Sequence, residues 1–218
     1  MATLQAVKLD QAQKQSAITL QGSAALVGDY LYCAINSILY MRGVYPTEMF
    51  ESVPKYGMSI FDAKDEELKS YLEKVMKWTK DWMMEESVTA IVLVIINPIT
   101  KDIVERWQFK IMCDQQHAEE KTEKSVSGAK PAPTMEEIRR QIGSVLKQIV
   151  ASVSILPATP LDAMNTFNIL VYTKDNLDVP ADWQESNPHF IRNAQQLHFR
   201  KIHTSVHEVD TCVTYRSE

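Results

Sequence analysis

Apolar residues recur at intervals of three and four across residues 24–40, at Leu26, Val27, Tyr30, Leu31, Ala34, Ile35, Ile38 and Leu39. That period predicts a helix with a wide buried stripe. Ser23 stands in the N-cap position, and Arg42-Gly-Val-Tyr-Pro46 stops the helix, with Gly43 suited to a left-handed C′ and Pro46 unable to continue. A second stripe, Leu68, Tyr71, Leu72, Val75, Thr79 and Trp82, predicts a helix from about Asp65, with Glu66 and Glu67 at the positive end of its dipole. Met76, Trp78, Met83 and Met84 broaden it, so this helix is contacted on more than one side. The third stripe is narrower: Ile138, Ile142, Val145, Leu146, Ile149 and Val153. It follows Thr134-Met-Glu-Glu137, which has capping-box spacing. Gly143 either weakens this helix by about 1 kcal/mol relative to Ala or marks close packing. Between the first two helices, residues 50–61 read as irregular, with a brief edge strand at 56–60.

Elsewhere the period is two, or the run is wholly apolar. Residues 88–96 are rich in Val and Ile at almost every position and predict a strand buried on both faces. Asn97-Pro-Ile-Thr100 turns the chain, and residues 101–113 alternate. Ile103, Trp107, Phe109, Ile111 and Cys113 face one way, and Arg106, Gln108 and Lys110 the other. The two runs predict an antiparallel hairpin. Glu105 breaks the apolar side; a buried carboxylate needs a partner, and Arg42 and Arg106 are the candidates. Residues 114–133 are polar and predict an exposed loop. Residues 166–173 predict a strand. A polar arm follows over 174–195, with Pro180 and Pro188 inside it, and then two alternating runs, 197–204 and 206–215, that suit a ribbon. Connections this long are functional or disordered, and Trp183, Phe190 and Ile191 argue that this one packs on the domain. The order predicts an α+β fold: one mainly antiparallel sheet with three helices on one face. We divide the chain into a flexible tail, 1–17, and one domain, 18–218, whose last part, 158–218, holds the strand, the arm and the ribbon.

Composition narrows the function. The chain has 218 residues, 45% apolar and 23% charged, enough for a sizeable core. A net charge of -5 gives no electrostatic footprint for nucleic acid or an anionic membrane. No apolar run is long enough to span a bilayer, and the Gln-rich start has no signal-peptide core. Cys33, Cys113 and Cys212 are scattered, as reduced buried thiols would be. No nucleophile elbow, phosphate loop or dinucleotide fingerprint occurs, and no cofactor or metal is expected. His203 and His207 lie four apart, but in strand-like sequence with a turn near Ser205; surface strand histidines is the simpler reading. Trp78 and Trp82 read as core packing, or as one of them lying beneath the arm. Trp82 and Trp107 are expected in the core.

Taken in order, certain strings resemble the HORMA-domain family, and within it the spindle-assembly-checkpoint branch. They are Leu20-Gln-Gly-Ser-Ala24, Ile35-Asn-Ser-Ile-Leu-Tyr40, Arg42-Gly-Val-Tyr-Pro46, Lys55-Tyr-Gly57, Lys80-Asp-Trp82, Val104-Glu-Arg-Trp-Gln-Phe109, Ser144-Val145, Lys147-Gln-Ile149, Phe167 through Thr173, and Val179-Pro180 with Trp183. The resemblance implies a peptide-binding adaptor, not an enzyme, with two folded topologies. In the open one the C-terminal ribbon pairs with one sheet edge; in the closed one it crosses the sheet and pairs on the other side. A partner peptide then adds to the vacated edge, Phe167, Asn168, Ile169, Leu170, Val171, Tyr172 and Thr173. The arm and ribbon close over it as a mobile safety belt, carried here by Trp183, Phe190, Leu197, Phe199, Ile202, Val206, Val209, Val213 and Tyr215. Deleting 203–218 is expected to abolish capture and leave the rest folded. The implied partners are the kinetochore scaffold mitotic arrest deficient one, the anaphase-promoting-complex activator, a second copy in an open–closed self-dimer, and a remodelling ATPase with its adaptor. The self-dimer is expected through Lys147, Gln148 and Arg42, with Lys147 standing where the family has arginine and so lacking the planar fork. The implied location is nucleus, kinetochore, nuclear envelope and cytoplasm. The same fold also serves a polymerase-zeta subunit and meiotic axis proteins. A small hydrolase with an unrecognised site is the reading from another class.

Overall fold

The structure, a computed structural model, describes residues 18–113, 132–158, 165–174, 180 and 183–216. The expected tail and most of the 114–133 loop lie outside the described residues. Among the described residues three α-helices, α1 (Leu20–Met41), α2 (Glu66–Met84) and α3 (Met135–Ser152), pack on a sheet of antiparallel strands. The strands are β1 (Phe50–Lys55), β2 (Met58–Ala63), β3 (Val88–Ile96), β4 (Ile103–Cys113), β5 (Thr166–Thr173), β6 (Ala194–His198), β7 (Ile202–His203) and β8 (His207–Arg216). The main sheet runs β5-β3-β4-β8-β6, with β7 also paired to β8; β1 and β2 form a separate hairpin.

Helix α1 is long and apolar enough to cross a membrane by composition alone, yet 67% of its most apolar stretch is buried, as in a core helix. It starts one turn before the expected boundary. Thr19, not Ser23, is the N-cap, its hydroxyl accepting from the Gly22 N–H at 3.1 Å. Its end is as expected. Gly43, at φ +60°, takes the C′ position, its N–H reaching the Tyr40 carbonyl at 3.1 Å while the Val44 N–H reaches Leu39 at 3.0 Å. In α2, Asp65 caps the Leu68 N–H at 2.9 Å. The capping box of α3 is complete: Thr134 Oγ1 accepts from the Glu137 N–H at 3.2 Å, and Glu137 Oε2 accepts from the Thr134 N–H at 2.8 Å.

The expectation of an irregular 50–61 is corrected. Residues 50–63 form a hairpin turned by Tyr56 and Gly57, both at positive φ, the two-residue turn that matches strand twist. Its faces are half exposed and Pro54 lies inside it, so no clean alternation marks it. The Tyr56 carbonyl fills the space beside Gly143: a Cβ there would sit 2.6 Å from that oxygen. Gly143 therefore marks close packing.

The helices cover the sheet face that carries Trp107, Phe109 and Ile111, all buried. Tyr30 of α1 meets Phe109 edge-on at 6.0 Å, and its hydroxyl bonds Thr211 Oγ1 at 2.8 Å. Glu105 lies on this side too, and its partner is Arg42, whose guanidinium pairs with Oε1; Trp107 Nε1 donates to Oε2 at 2.9 Å. Burial pushes the Glu105 carboxyl up, against the pull of Arg42 and Trp107. The pairing corrects one expectation, since Arg42 is only 5% exposed and is held inside by Glu105 and the Pro157 carbonyl. It offers no surface for a dimer contact.

Candidate strand-capture edge

Strand β5 ends the sheet. It pairs with β3 from Ile96↔Thr166 to Val88↔Thr173, and among the described residues no strand pairs with its outer side. Lys174 donates its N–H to Ser87 beyond the β3 end at 2.7 Å, so even-numbered positions turn their backbone inward. The Tyr172 carbonyl accepts from Thr89 Oγ1 on β3 at 3.1 Å, which fits the same parity, with odd positions facing out. The backbone groups of Phe167, Ile169, Val171 and Thr173 are thus presented to a newcomer. Such an edge is a template for strand addition. Phe167 is wedged between Tyr45 and Tyr71, at 6.0 and 5.9 Å, and Ile169 is buried, which keeps the strand in place. Asn168 is exposed, and Leu170, Val171, Tyr172 and Thr173 are half-buried.

The arm passes beside this edge. Trp183 packs edge-on to Trp82 at 5.2 Å, and Trp82 stacks on Trp78 at 5.9 Å. Trp82 is therefore both core and the seat of the arm. A cavity of about 540 Å³ lies between the two, lined by Trp82, Ile169, Val171, Trp183 and Pro188. The arm then crosses the sheet face opposite the helices. There the Pro188 carbonyl accepts from Arg106 Nε at 3.4 Å and from the Tyr172 hydroxyl at 3.3 Å. Phe190 was expected to pack on the domain. It is 72% exposed, with one ring face over the Arg106 guanidinium at 5.4 Å.

Beyond the crossing, the ribbon sits at the opposite end of the sheet. Strand β8 pairs with β4 from Glu105↔Tyr215 to Cys113↔His207, and β6 covers its other side. Phe199 stacks on Trp107 at 5.9 Å. Ile202, Val209, Val213 and Tyr215 are buried, while Leu197 and Val206 are half-buried. This is the closed arrangement that the resemblance implies: ribbon on the far side, β5 edge open, arm between. It corrects the expectation for the 203–218 deletion, which would strip β8 and two fully buried valines from the core.

Several contributors were not read from the sequence. Ser23 Oγ bonds Thr204 Oγ1 at 2.6 Å and His207 Nδ1 at 2.7 Å, tying the β7–β8 turn to α1. His207 is 2% exposed, so it is not the surface histidine expected. Gln141 Oε1 accepts from the His203 N–H at 2.8 Å, and Gln148 Oε1 from the Arg200 N–H at 3.0 Å. Gln148 thus helps hold the ribbon, while Lys147 beside it is exposed. Only the tertiary contacts give these polar residues the role of holding the ribbon. Among the described residues no cluster of three or more His, Cys, Asp or Glu is placed to hold a metal.

Comparison with known proteins gives one family. Residues 23–209 match the HORMA domain. The mitotic spindle assembly checkpoint protein MAD2A of Homo sapiens is 40% identical over 206 residues, 94% of this chain and 96% of that protein. The mitotic spindle checkpoint component MAD2 of Saccharomyces cerevisiae is 32% identical over 199 residues, 91% of this chain and 97% of that one. Among solved structures, a chain of the mitotic checkpoint complex superposes with a TM-score of 0.77 at 34% identity, covering 90% of this chain and 99% of that one. The HTP-2 protein of C. elegans, bound to the HIM-3 closure motif, shares the fold alone, with a TM-score of 0.67 at 14% identity over 93% of each chain.

Proposed function

Because this chain belongs to the HORMA domain family, and resembles the family's checkpoint proteins along nearly its whole length, we propose that it is a spindle-assembly-checkpoint adaptor. It captures a partner's peptide as an added strand on the outer side of β5 and fastens the arm over it. The observation that carries this reading is the β5 edge, unpaired among the described residues and facing a cavity lined on its far side by Trp183 and Pro188. Main-chain hydrogen bonds supply affinity whatever the partner sequence, and alternate side chains supply the choice of partner. Each added bond contributes only about 0.5–1.5 kcal/mol net. A strand threaded under the arm gains a barrier to release besides.

The partners that fit are a kinetochore scaffold, mitotic arrest deficient one, and the anaphase-promoting-complex activator, whose sequestration delays anaphase. Open–closed self-association and resetting by a remodelling ATPase with its adaptor belong to the same reading, as do action at nucleus, kinetochore and nuclear envelope and a cytoplasmic pool. The name of the superposed mitotic checkpoint complex chain supports a protein partner in that setting.

Val171→Pro tests the edge directly. Its N–H faces outward by parity, so proline removes no bond to β3 and is tolerated at an edge. The variant is expected to stay folded, with a melting midpoint within about 5 °C of the parent. Its affinity for a peptide carrying a basic residue, two consecutive aliphatics and a downstream proline is expected to fall at least about tenfold. Unchanged affinity by fluorescence anisotropy would refute capture at this edge.

A further inference from the structure

Arg106 stands on the sheet face that no helix covers among the described residues, yet it is 6% exposed. The arm is what covers it. The guanidinium donates from Nε to the Pro188 carbonyl, from Nη2 to the Tyr172 hydroxyl at 3.2 Å, and from Nη1 to Gln108 Oε1, while the Phe190 ring lies over it at 5.4 Å and the Tyr172 ring at 5.8 Å. Those oxygen partners are neutral, so this arginine is held by the fit of its fork and by two aromatic faces. The Tyr172 hydroxyl also donates to Pro188, so one carbonyl of the arm is gripped by both side chains. The stretch from Gln184 to Asn187, between the Trp183 seat and this grip, is exposed. His189, just past the grip, sits at φ +50°, where the backbone turns sharply. The arm is thus pinned at two points, one on each side of the β5 edge.

We propose that Arg106, Tyr172 and Phe190 form a clasp on the Pro188 carbonyl, and that this clasp sets how long a captured strand stays bound. The proposal rests on the adaptor reading above. Tyr172 belongs to the capture strand itself. A peptide paired along β5 restrains the strand that carries the Tyr172 hydroxyl, so occupancy of the edge and fastening of the arm reinforce each other. Opening the clasp strips the guanidinium of its bond to the Pro188 carbonyl and of the Phe190 ring, while its bonds to Tyr172 and Gln108 keep the fork aimed at the place the arm has left. The clasp therefore acts on release more than on capture. Arg106, the Tyr172 hydroxyl and the Phe190 ring are positioning groups: they hold the arm in place through the Pro188 carbonyl and the guanidinium.

The test measures association and dissociation of a fluorescein-labelled peptide with a basic residue, two aliphatics and a proline, using the full chain. Arg106→Lys keeps the charge but loses the fork, and is expected to speed dissociation about tenfold. Tyr172→Phe keeps the ring and loses one hydroxyl, and is expected to speed it about threefold. In both, the association rate stays within about twofold, since mutational effects of this kind fall mostly on release. The double variant is expected to be less than multiplicative, because the two side chains share one acceptor. If the parent captures the peptide and both variants release it at the parental rate, the clasp is refuted and the adaptor reading stands. If release quickens only in proportion to a fall in melting midpoint, the residues serve stability alone and the clasp is again refuted. If the parent itself fails to capture the peptide, the adaptor reading falls and takes the clasp with it.

Discussion

The most consequential single residue in the core is a carboxylate. Glu105 breaks an otherwise apolar alternation, and the break is visible in the sequence; the choice of Arg42 over Arg106 is not, because both are arginines and only the fold brings Arg42 beneath β4. Removing one member of such a pair leaves the other charge buried and unmatched. Glu105→Gln is expected to lower unfolding free energy by about 3–5 kcal/mol. Arg42→Met with Glu105→Leu is expected to recover most of that, because two apolar groups leave no charge behind. Urea denaturation checks both. A loss under 1 kcal/mol for the single variant, small beside the usual cost of an orphaned charge, would mean the pair is not buried as described. Cys33 has the opposite character: burial first, and then repulsion from Asp29, push its thiol up to about 12, which makes it an inert core side chain at neutral pH.

At the scale of elements, local signals that agreed with tertiary demand were readable in advance. The Thr134 box and the Asp65 cap use side chains three residues from the backbone groups they satisfy, and the Gly43 stop uses neighbouring backbone N–H groups at a residue free to take positive φ. The 50–63 hairpin was missed because two short, half-exposed strands carry little periodicity and a proline. Its turn, Tyr56-Gly57, is also what decides the sign of a substitution on α3. Gly143→Ala should favour the helix by about 1 kcal/mol from propensity alone. The new Cβ would meet a backbone oxygen at 2.6 Å, and backbone moves less readily than a side chain. Overpacking of this kind costs about 1–3 kcal/mol, so the variant is expected to be less stable, not more. A raised melting midpoint would show that the hairpin can shift away.

For the whole molecule, the ribbon's place is the central fact. Strand β8 lies on β4, and its turn is tied to α1 through Ser23, Thr204 and His207. That knot exists only while the ribbon is on this side of the sheet. Two packings of one chain differing by a few kcal/mol can exchange, and a contact made in one alone biases the balance. Ser23→Ala is expected to cost this topology about 1–2 kcal/mol, shifting the ratio of two topologies about tenfold away from it, with ion-exchange separation of the monomer as the measurement. A single unchanged peak would mean that the knot discriminates nothing.

Helix stripes, the buried β3, the β3–β4 hairpin and the alternation of the final runs were settled by the order of residues alone, because each depends on spacing within one element. Which edge the ribbon occupies, which arginine meets Glu105, and which side chains grip Pro188 were settled only in three dimensions. Arg106 lies 66 positions from Tyr172 and 82 from Pro188, and Ser23 lies 184 from His207. The ribbon's alternation is the same whichever strand it pairs with. Nothing in its own pattern distinguishes β4 from β5, and the choice falls to the surfaces that the folded chain presents.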